Sequence, residues 1–432
     1  MSKLIIRGGA PISGTHQVPG NKNAALPMLA AALLATEPVT LENLPDIADV
    51  RVMIQGLREL GARVTEDLAQ SHTATVDARR LKASPELSAA TCSLIRTSIL
   101  FAGPLLARKG RLRLRAAPGG DSIGRRRLDT HFAGFHALGA TGRARPTGAI
   151  TLKAPKGLRG AYFMLDEASV TATENLLMAA VTAPGQTTLY NAACEPHVQD
   201  LCRMLCGMGA KIEGIGTNRL LIEGVERLSG GTFRVGGDAI EAASYLVAAA
   251  VTGGALVLKG VDRQEMEILR PTFARFGVRW TFDDAGNLRL SARQALKTTY
   301  DLGAVIPRFS NGPWPALPSD LMSVLIVLAT QTRGTELFFE KMFESRLYFI
   351  DHLIGMGARI VQCDPHRAVV TGPTRLQGCT VSSPDIRAGM ALIIAALCAR
   401  GTTIILNAES IDRGYESIET HLRALGADIR RA

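Results

Sequence analysis

The chain has 432 residues, enough for two or three ordinary domains of ~150 residues, and its 47% hydrophobic and 20% charged content excludes a disordered chain. Forty-nine Lys and Arg against 39 Asp and Glu leave a net charge of +10, with only ten Lys among the 49. This Arg excess points to anionic partners, while 5% aromatic residues supply few stacking platforms for single-stranded nucleic acid. The longest apolar runs, Ala24–Ala35 and Met390–Ala399, are about half a bilayer crossing, and the start carries no secretory signal. Seven Cys without a C-x-x-C pair read as reduced thiols of a cytoplasmic protein.

In chain order, one pattern recurs six times. Near Asn21, Thr91, Ser169, Asp238, Asp320 and Asp385 begin Ala-rich stretches that are apolar on nearly every side, such as D-I-R-A-G-M-A-L-I-I-A-A-L. They predict helices buried in a core. A short alternating strand follows each: V-T-L-E-N-L, R-L-R-L-R, T-T-L-Y-N, A-L-V-L-K, T-E-L-F-F-E and T-T-I-I-L-N. An amphipathic helix comes next and closes on Gly61, Gly139, Gly209, Gly277, Gly357 or Gly426, where glycine suits a left-handed cap. The spacings of these glycines are 78, 70, 68, 80 and 69 residues. A further strand follows the first five turns. The sixth lacks one before Ala432, and the opening K-L-I-I-R has its character, so the first strand is expected to complete the last unit. Two lobes of three units result, one spanning residues 22–235 and the other combining 1–21 with 236–432, with a cleft between lobes as the default binding site.

Starts of buried helices carry free N–H groups and the positive dipole end, so they favour anions. Lys22 and Asn23 open the first helix, Arg96 lies in the second, Ser169 opens the third, Asp320 the fifth, and Arg387 sits in the first turn of the sixth. A cation there opposes the dipole. One alone reads equally well as solvent-facing; two beside buried helices favour anion binding. The segment P-G-G-D-S-I-G-R-R-R-L-D (Pro118–Asp129) adds three consecutive Arg to a Gly-rich stretch. F-E-S-R (Phe343–Arg346) and I-D-R-G-Y-E (Ile411–Glu416) pair acids with Arg, which surface ion pairs would explain. No P-loop or complete G-x-G-x-x-G is present, and His131 and Asp364–His366 lack company for a metal.

Together, K-N at Lys22–Asn23, I-R-T-S at Ile95–Ser98, P-G-G-x-x-I-G-x-R at Pro118–Arg126, S-V-x-A-T-E-N at Ser169–Asn175, P-S-D-L-M at Pro318–Met322, E-S-R at Glu344–Arg346, D-I-R-A at Asp385–Ala388 and D-R-G-Y-E at Asp412–Glu416 resemble the enolpyruvyl transferases over the whole chain. The likeness is greatest to the branch that uses UDP-N-acetylglucosamine in peptidoglycan synthesis. It implies a two-lobed inside-out α/β barrel of six βαβαββ repeats, three per lobe. The implied reaction moves the enolpyruvyl group of phosphoenolpyruvate to a sugar 3-hydroxyl, with no cofactor, metal, nucleic acid or membrane involved. Lys22, Arg126 and Arg413 would grip the phosphate, Arg346 and Arg387 the carboxylate, and Arg96 would join the anion cluster. Asp320 would orient or deprotonate the accepting hydroxyl. Asp121 stands on a mobile loop where the family usually has Cys, the residue that protonates the methylene carbon and that fosfomycin alkylates. Insensitivity to fosfomycin is therefore expected.

For the nucleotide sugar, the resemblance implies Asn23, Arg96, Arg126, Arg127, Leu128, Asp129, Arg159, Ser169, Val170, Thr171, Asp320 and Met342. This half departs most from the family. R-P-x-D has become Arg126-Arg127-Leu128-Asp129, Thr171 replaces a Gly, Cys194 and Ala239 replace Arg residues, and Arg159 stands where Lys is common. A different nucleotide acceptor, a shikimate-type acceptor, and a non-catalytic anion-binding paralogue are the alternatives. Retention of Asp121, Asp320 and the Arg set argues against the last.

Overall fold

The six apolar stretches form helices buried on nearly all sides, labelled α1 (Lys22–Ala31), α2 (Ala102–Lys109), α3 (Val170–Ala180), α4 (Ala239–Thr252), α5 (Met322–Gln331) and α6 (Ile386–Cys398). They come from a computed structural model that describes residues 2–121, 123–145 and 148–432, so Ser122 of the Gly-rich segment lies outside the described residues. Four helix starts are capped as their sequences suggest. Asn21, Ser169, Asp238 and Asp385 each accept a backbone N–H of the first turn through the side chain.

The second stretch differs from the expectation of one continuous helix. It breaks into a helix over Ala89–Leu94, a 3₁₀ segment over Arg96–Phe101, and then α2. Ile95 between them is extended, with φ −135° and ψ 142°. The Ser98 hydroxyl takes over local carbonyls, donating to Ile95 O at 2.9 Å, and β-branched Ile95, Thr97 and Ile99 lower helix propensity here. Arg96 therefore opens a 3₁₀ turn.

Six four-stranded sheets accompany the helices, all with one topology. In each, an edge strand runs parallel to its neighbour, and the next two pairings are antiparallel. All six turn glycines have positive φ, between 83° and 106°, the backbone form the left-handed cap requires. The expected closure by the first strand occurs: Lys3–Arg7 lies between Thr402–Leu406 and Asp428–Arg431, antiparallel to both.

The chain forms two compact units, each with its own apolar core. One comprises Gly20–Asp121 and Arg126–Gly236; the other comprises Met1–Pro19, Ser122–Arg125 and Gly237–Ala432. Inside the first, α1, α2 and α3 belong to one core, and Asn175 of α3 ties it together. This fully buried amide accepts from Gly103 N at 2.8 Å and donates to Ile99 O and His131 Nδ1, both at 3.0 Å. A Cβ on Gly103 would lie 2.3 Å from Asn175 O, so glycine permits the close approach. Asn175→Ala should cost ~2–3 kcal/mol, because it orphans two buried backbone groups. A lowered urea midpoint checks this, and an unchanged midpoint counts against it.

The basic strand Arg111–Leu114 also finds a structural explanation. Arg113 and Arg115 both pair with Glu86 on the neighbouring strand, and Arg111 donates to Ser84 at 3.5 Å. Among the described residues, no helix is long and apolar enough to cross a membrane.

Candidate active site

In the unit that holds Gly237–Ala432, three of the expected residues converge. Asp320 lies in a 3₁₀ turn, Ser319–Leu321, that leads into α5. Its two carboxylate oxygens are shared between two guanidiniums. Arg346 donates to Oδ1 at 2.8 Å, and Arg387 reaches Oδ2 at 2.9 and 2.8 Å. The arginine side chains are only 4% and 6% exposed, whereas Asp320 is 27% exposed. The carboxylate thus has one face open, and the cations are committed to this pocket.

Each arginine has further support. Asp385, the cap of α6, accepts Arg387 N at 2.8 Å and lies 3.8 Å from Arg346 Nη1. Tyr415 accepts from Arg387 at 3.3 Å and shares a hydrogen bond with Ser244 at 3.2 Å. Burial opposes the charge of Arg387, but Asp320, Tyr415 and Asp238 prevail and hold its pKa above the usual arginine value. It stays cationic throughout the working pH range. Arg346 also donates to Ser319 at 3.4 Å, and Ser319 donates to Glu340 at 2.9 Å.

Fully buried Glu340 was not anticipated from sequence. It accepts from Asn311, Met342 N and Phe343 N, and so fixes the turn that carries Glu344–Arg346. Met342 itself is exposed. The same turn holds part of the Gly-rich segment. Arg125 N donates to Glu344 Oε2 at 3.1 Å, and Ser345 N donates to Ile123 O at 3.1 Å. A Cβ on Gly124 would meet Glu344 at 2.3 Å, which explains glycine at that position. Arg413 ends the 3₁₀ turn Ala408–Arg413, partly buried. Its neighbour Asp412 fits a simple ion-pair reading: it holds Arg431 at 2.7 Å.

The other unit holds further expected residues. Lys22 opens α1 and is 8% exposed, with Nζ 2.8 Å from Asp49, in the first turn of helix Ala48–Glu59. Sequence reasoning found the lysine and missed its acid. Asn23, partly buried, gives its N–H to Asn21 at 2.7 Å. Arg96 donates to Arg126 O and to Arg127 O, the latter at 3.2 Å. Burial, reinforced by Arg126, lowers its pKa to about 10. Asp121 is partly buried, and the preceding Gly120, at φ +98°, packs its backbone against Arg96.

Arg127 turns to Asp166 at 2.9 Å, which also accepts from Thr130. Leu128 precedes the helix that Asp129 begins, Asp129–Ala137. Ser169, Val170 and Thr171 form the start of α3, and Thr171 Oγ1 meets His131 Nε2 at 3.1 Å. Because His131 Nδ1 accepts from Asn175, Nε2 carries the proton; burial first, and Arg96 second, lower the ring's pKa to about 3 and keep it neutral. Arg159 stands apart from these contacts, exposed on a cavity of about 590 Å³ that Lys156 and Pro184 also line.

What this arrangement offers chemically is a pair of forked cations around a carboxylate in one unit, and, in the other, a buried lysine paired with an acid and a neighbouring pair of arginines, Arg96 and Arg126. Both suit polyanionic small molecules. The family model for EPSP synthase (3-phosphoshikimate 1-carboxyvinyltransferase) matches residues 6–422. UDP-N-acetylglucosamine 1-carboxyvinyltransferase of Borreliella burgdorferi is 50% identical over 431 residues, covering 100% of this chain and 99% of its own. The enzyme of the same name from Treponema pallidum is 50% identical over 429 residues, with 99% of each chain covered. Among solved structures, the enolpyruvyl transferase NikO from Streptomyces tendae superposes with a TM-score of 0.87 at 27% identity, covering 100% of this chain and 99% of its own.

Proposed function

We infer the reaction from the premise that this chain belongs to the EPSP synthase (3-phosphoshikimate 1-carboxyvinyltransferase) family of enolpyruvyl transferases. It transfers the enolpyruvyl group of phosphoenolpyruvate to the 3-hydroxyl of UDP-N-acetylglucosamine and releases phosphate, a step of peptidoglycan synthesis. The acceptor oxygen adds to C2 of phosphoenolpyruvate while a proton is delivered to the C3 methylene, giving a tetrahedral ketal. Loss of a C3 proton and of phosphate then restores the vinyl group. Such chemistry needs an acid, a base and fixed cations.

Asp121 is the acid for C3, and Asp320 receives the hydroxyl proton. Lys22, Arg126 and Arg413 take the phosphate and support its departure as an anion, with Arg96 in the same group. Arg346 and Arg387 take the substrate carboxylate. The observation that carries this reading is the bridge at Asp320, where two buried guanidiniums already hold a carboxylate, one on each oxygen. A substrate carboxylate that takes over those donors frees Asp320 for the hydroxyl. Asn23, Arg126 to Asp129, Ser169 to Thr171 and Met342 contact the nucleotide sugar. The reaction is assigned to the cytoplasm, in keeping with seven free cysteines.

Phosphate release from phosphoenolpyruvate, measured with a panel of acceptors, tests the proposal. Release is expected to depend on UDP-N-acetylglucosamine. Turnover only with another nucleotide would move the acceptor assignment. Tight binding of phosphoenolpyruvate without turnover on any acceptor would make the chain a binding protein.

A further inference from the structure

We propose that His16, Glu241 and His421 form a site for one divalent transition-metal ion of the zinc class, outside the enolpyruvyl chemistry. Their potential ligand atoms all lie within 4.8 Å of one another. His16 Nε2 and Glu241 Oε1 are already 3.0 Å apart. Donors bound at ~2.0–2.2 Å to a tetrahedral ion sit ~3.3–3.5 Å from each other, so a small side-chain rotation of His421 closes the set. Two imidazoles and one carboxylate suit zinc, cobalt or nickel, and not the all-oxygen preference of magnesium or calcium.

The surroundings are those of a built site. His16 and Glu241 are 5% and 3% exposed, while His421 is half-buried. The His16 ring is fixed by stacking on Tyr245, with centroids 4.1 Å apart and planes 16° apart, and it lies 5.2 Å from the His421 ring. Tyr245 is fully buried, and its hydroxyl has no hydrogen-bond partner among the described residues. A phenol oxygen left over on the ring that stacks against His16 is a group that water entering with a bound cation would satisfy.

The three ligands come from strand Gly14–Gln17, the first turn of α4 and helix Ile418–Ala424. His16 and Glu241 are 225 residues apart in sequence, which is why no spacing motif discloses them. An ion here would pin the strand that precedes Lys22 onto the far end of the chain within one unit.

The test uses the full chain, freed of metal by a chelator and titrated with Co²⁺. The expected result is a visible d–d spectrum that saturates at one ion per chain, is displaced by Zn²⁺, and accompanies a rise in Tm on adding Zn²⁺. His421→Gln, at a half-exposed position that should fold, weakens binding at least ~10-fold, and Glu241→Gln does the same. No cobalt spectrum in the wild-type chain, or a spectrum and affinity unchanged in both variants, overturns the proposal.

Discussion

Asp320→Asn lowers kcat by ~10²–10⁴-fold while the protein stays folded. An amide cannot take the hydroxyl proton. It also turns Nδ2, a donor, toward one of the two guanidiniums, which has no acceptor to offer, where Asp320 now accepts from both. Because Asp320 is the most exposed member of the trio and sits in a 3₁₀ turn, the change touches the site more than the core. Arg413→Ala is expected to reduce turnover as well, through loss of a phosphate contact at the end of its turn. Steady-state kinetics beside a urea denaturation curve separates chemistry from folding. Near-normal kcat in both folded variants would undo the assignment of this cluster.

A second large effect is expected at Asp121. Fosfomycin should leave the wild-type chain active, since a carboxylic acid can donate a proton but offers no thiolate to alkylate. Asp121→Ala should lower kcat ~10²–10⁴-fold, the usual worth of a positioned general acid. Asp121→Cys should retain activity and gain time-dependent inactivation, with the adduct located on the introduced thiol by mass spectrometry. Six of the seven native cysteines offer little competition. Burial raises the pKa of Cys92, Cys194, Cys206 and Cys379, and pushes Cys202 and Cys398 up to about 12. Cys363 is exposed, so the wild-type chain is the control that separates its alkylation from that at position 121. Inactivation of the wild type by alkylation at any native cysteine would refute the prediction.

Much of the architecture was legible because the same physical problem is solved six times. An all-round apolar helix has only one place to go, and a glycine after an amphipathic helix marks its left-handed cap. Lys22 and Arg387 were legible as cations placed where a helix dipole disfavours them. Their partners were not. Asp49 lies in the next helix, with nothing in its local pattern to distinguish it, and Glu340 looked like an ordinary charge after F-F. The reading of F-E-S-R as a surface ion pair failed for Arg346, which is buried against Asp320. It failed because local sequence cannot tell a partner two residues away from one on another element. The break at Ile95 was missed for a related reason: apolar content signals burial, while the Ser98 hydroxyl decides the backbone.

The strand Lys3–Arg7 has a consequence for how the protein is made. It leaves the ribosome before the other strands of its sheet, and its two partner strands, Thr402–Leu406 and Asp428–Arg431, follow only after the whole of the other unit has been made. Until they emerge it carries unmatched N–H and C=O groups and the apolar side chains of Leu4 and Ile6, which end fully buried. The unit built from Gly20–Asp121 and Arg126–Gly236 needs neither of those later strands, so it can reach its native core before they emerge. The other must wait for them, and its unpaired early strand is the place where a chaperone, or a wrong strand from another chain, would first find purchase.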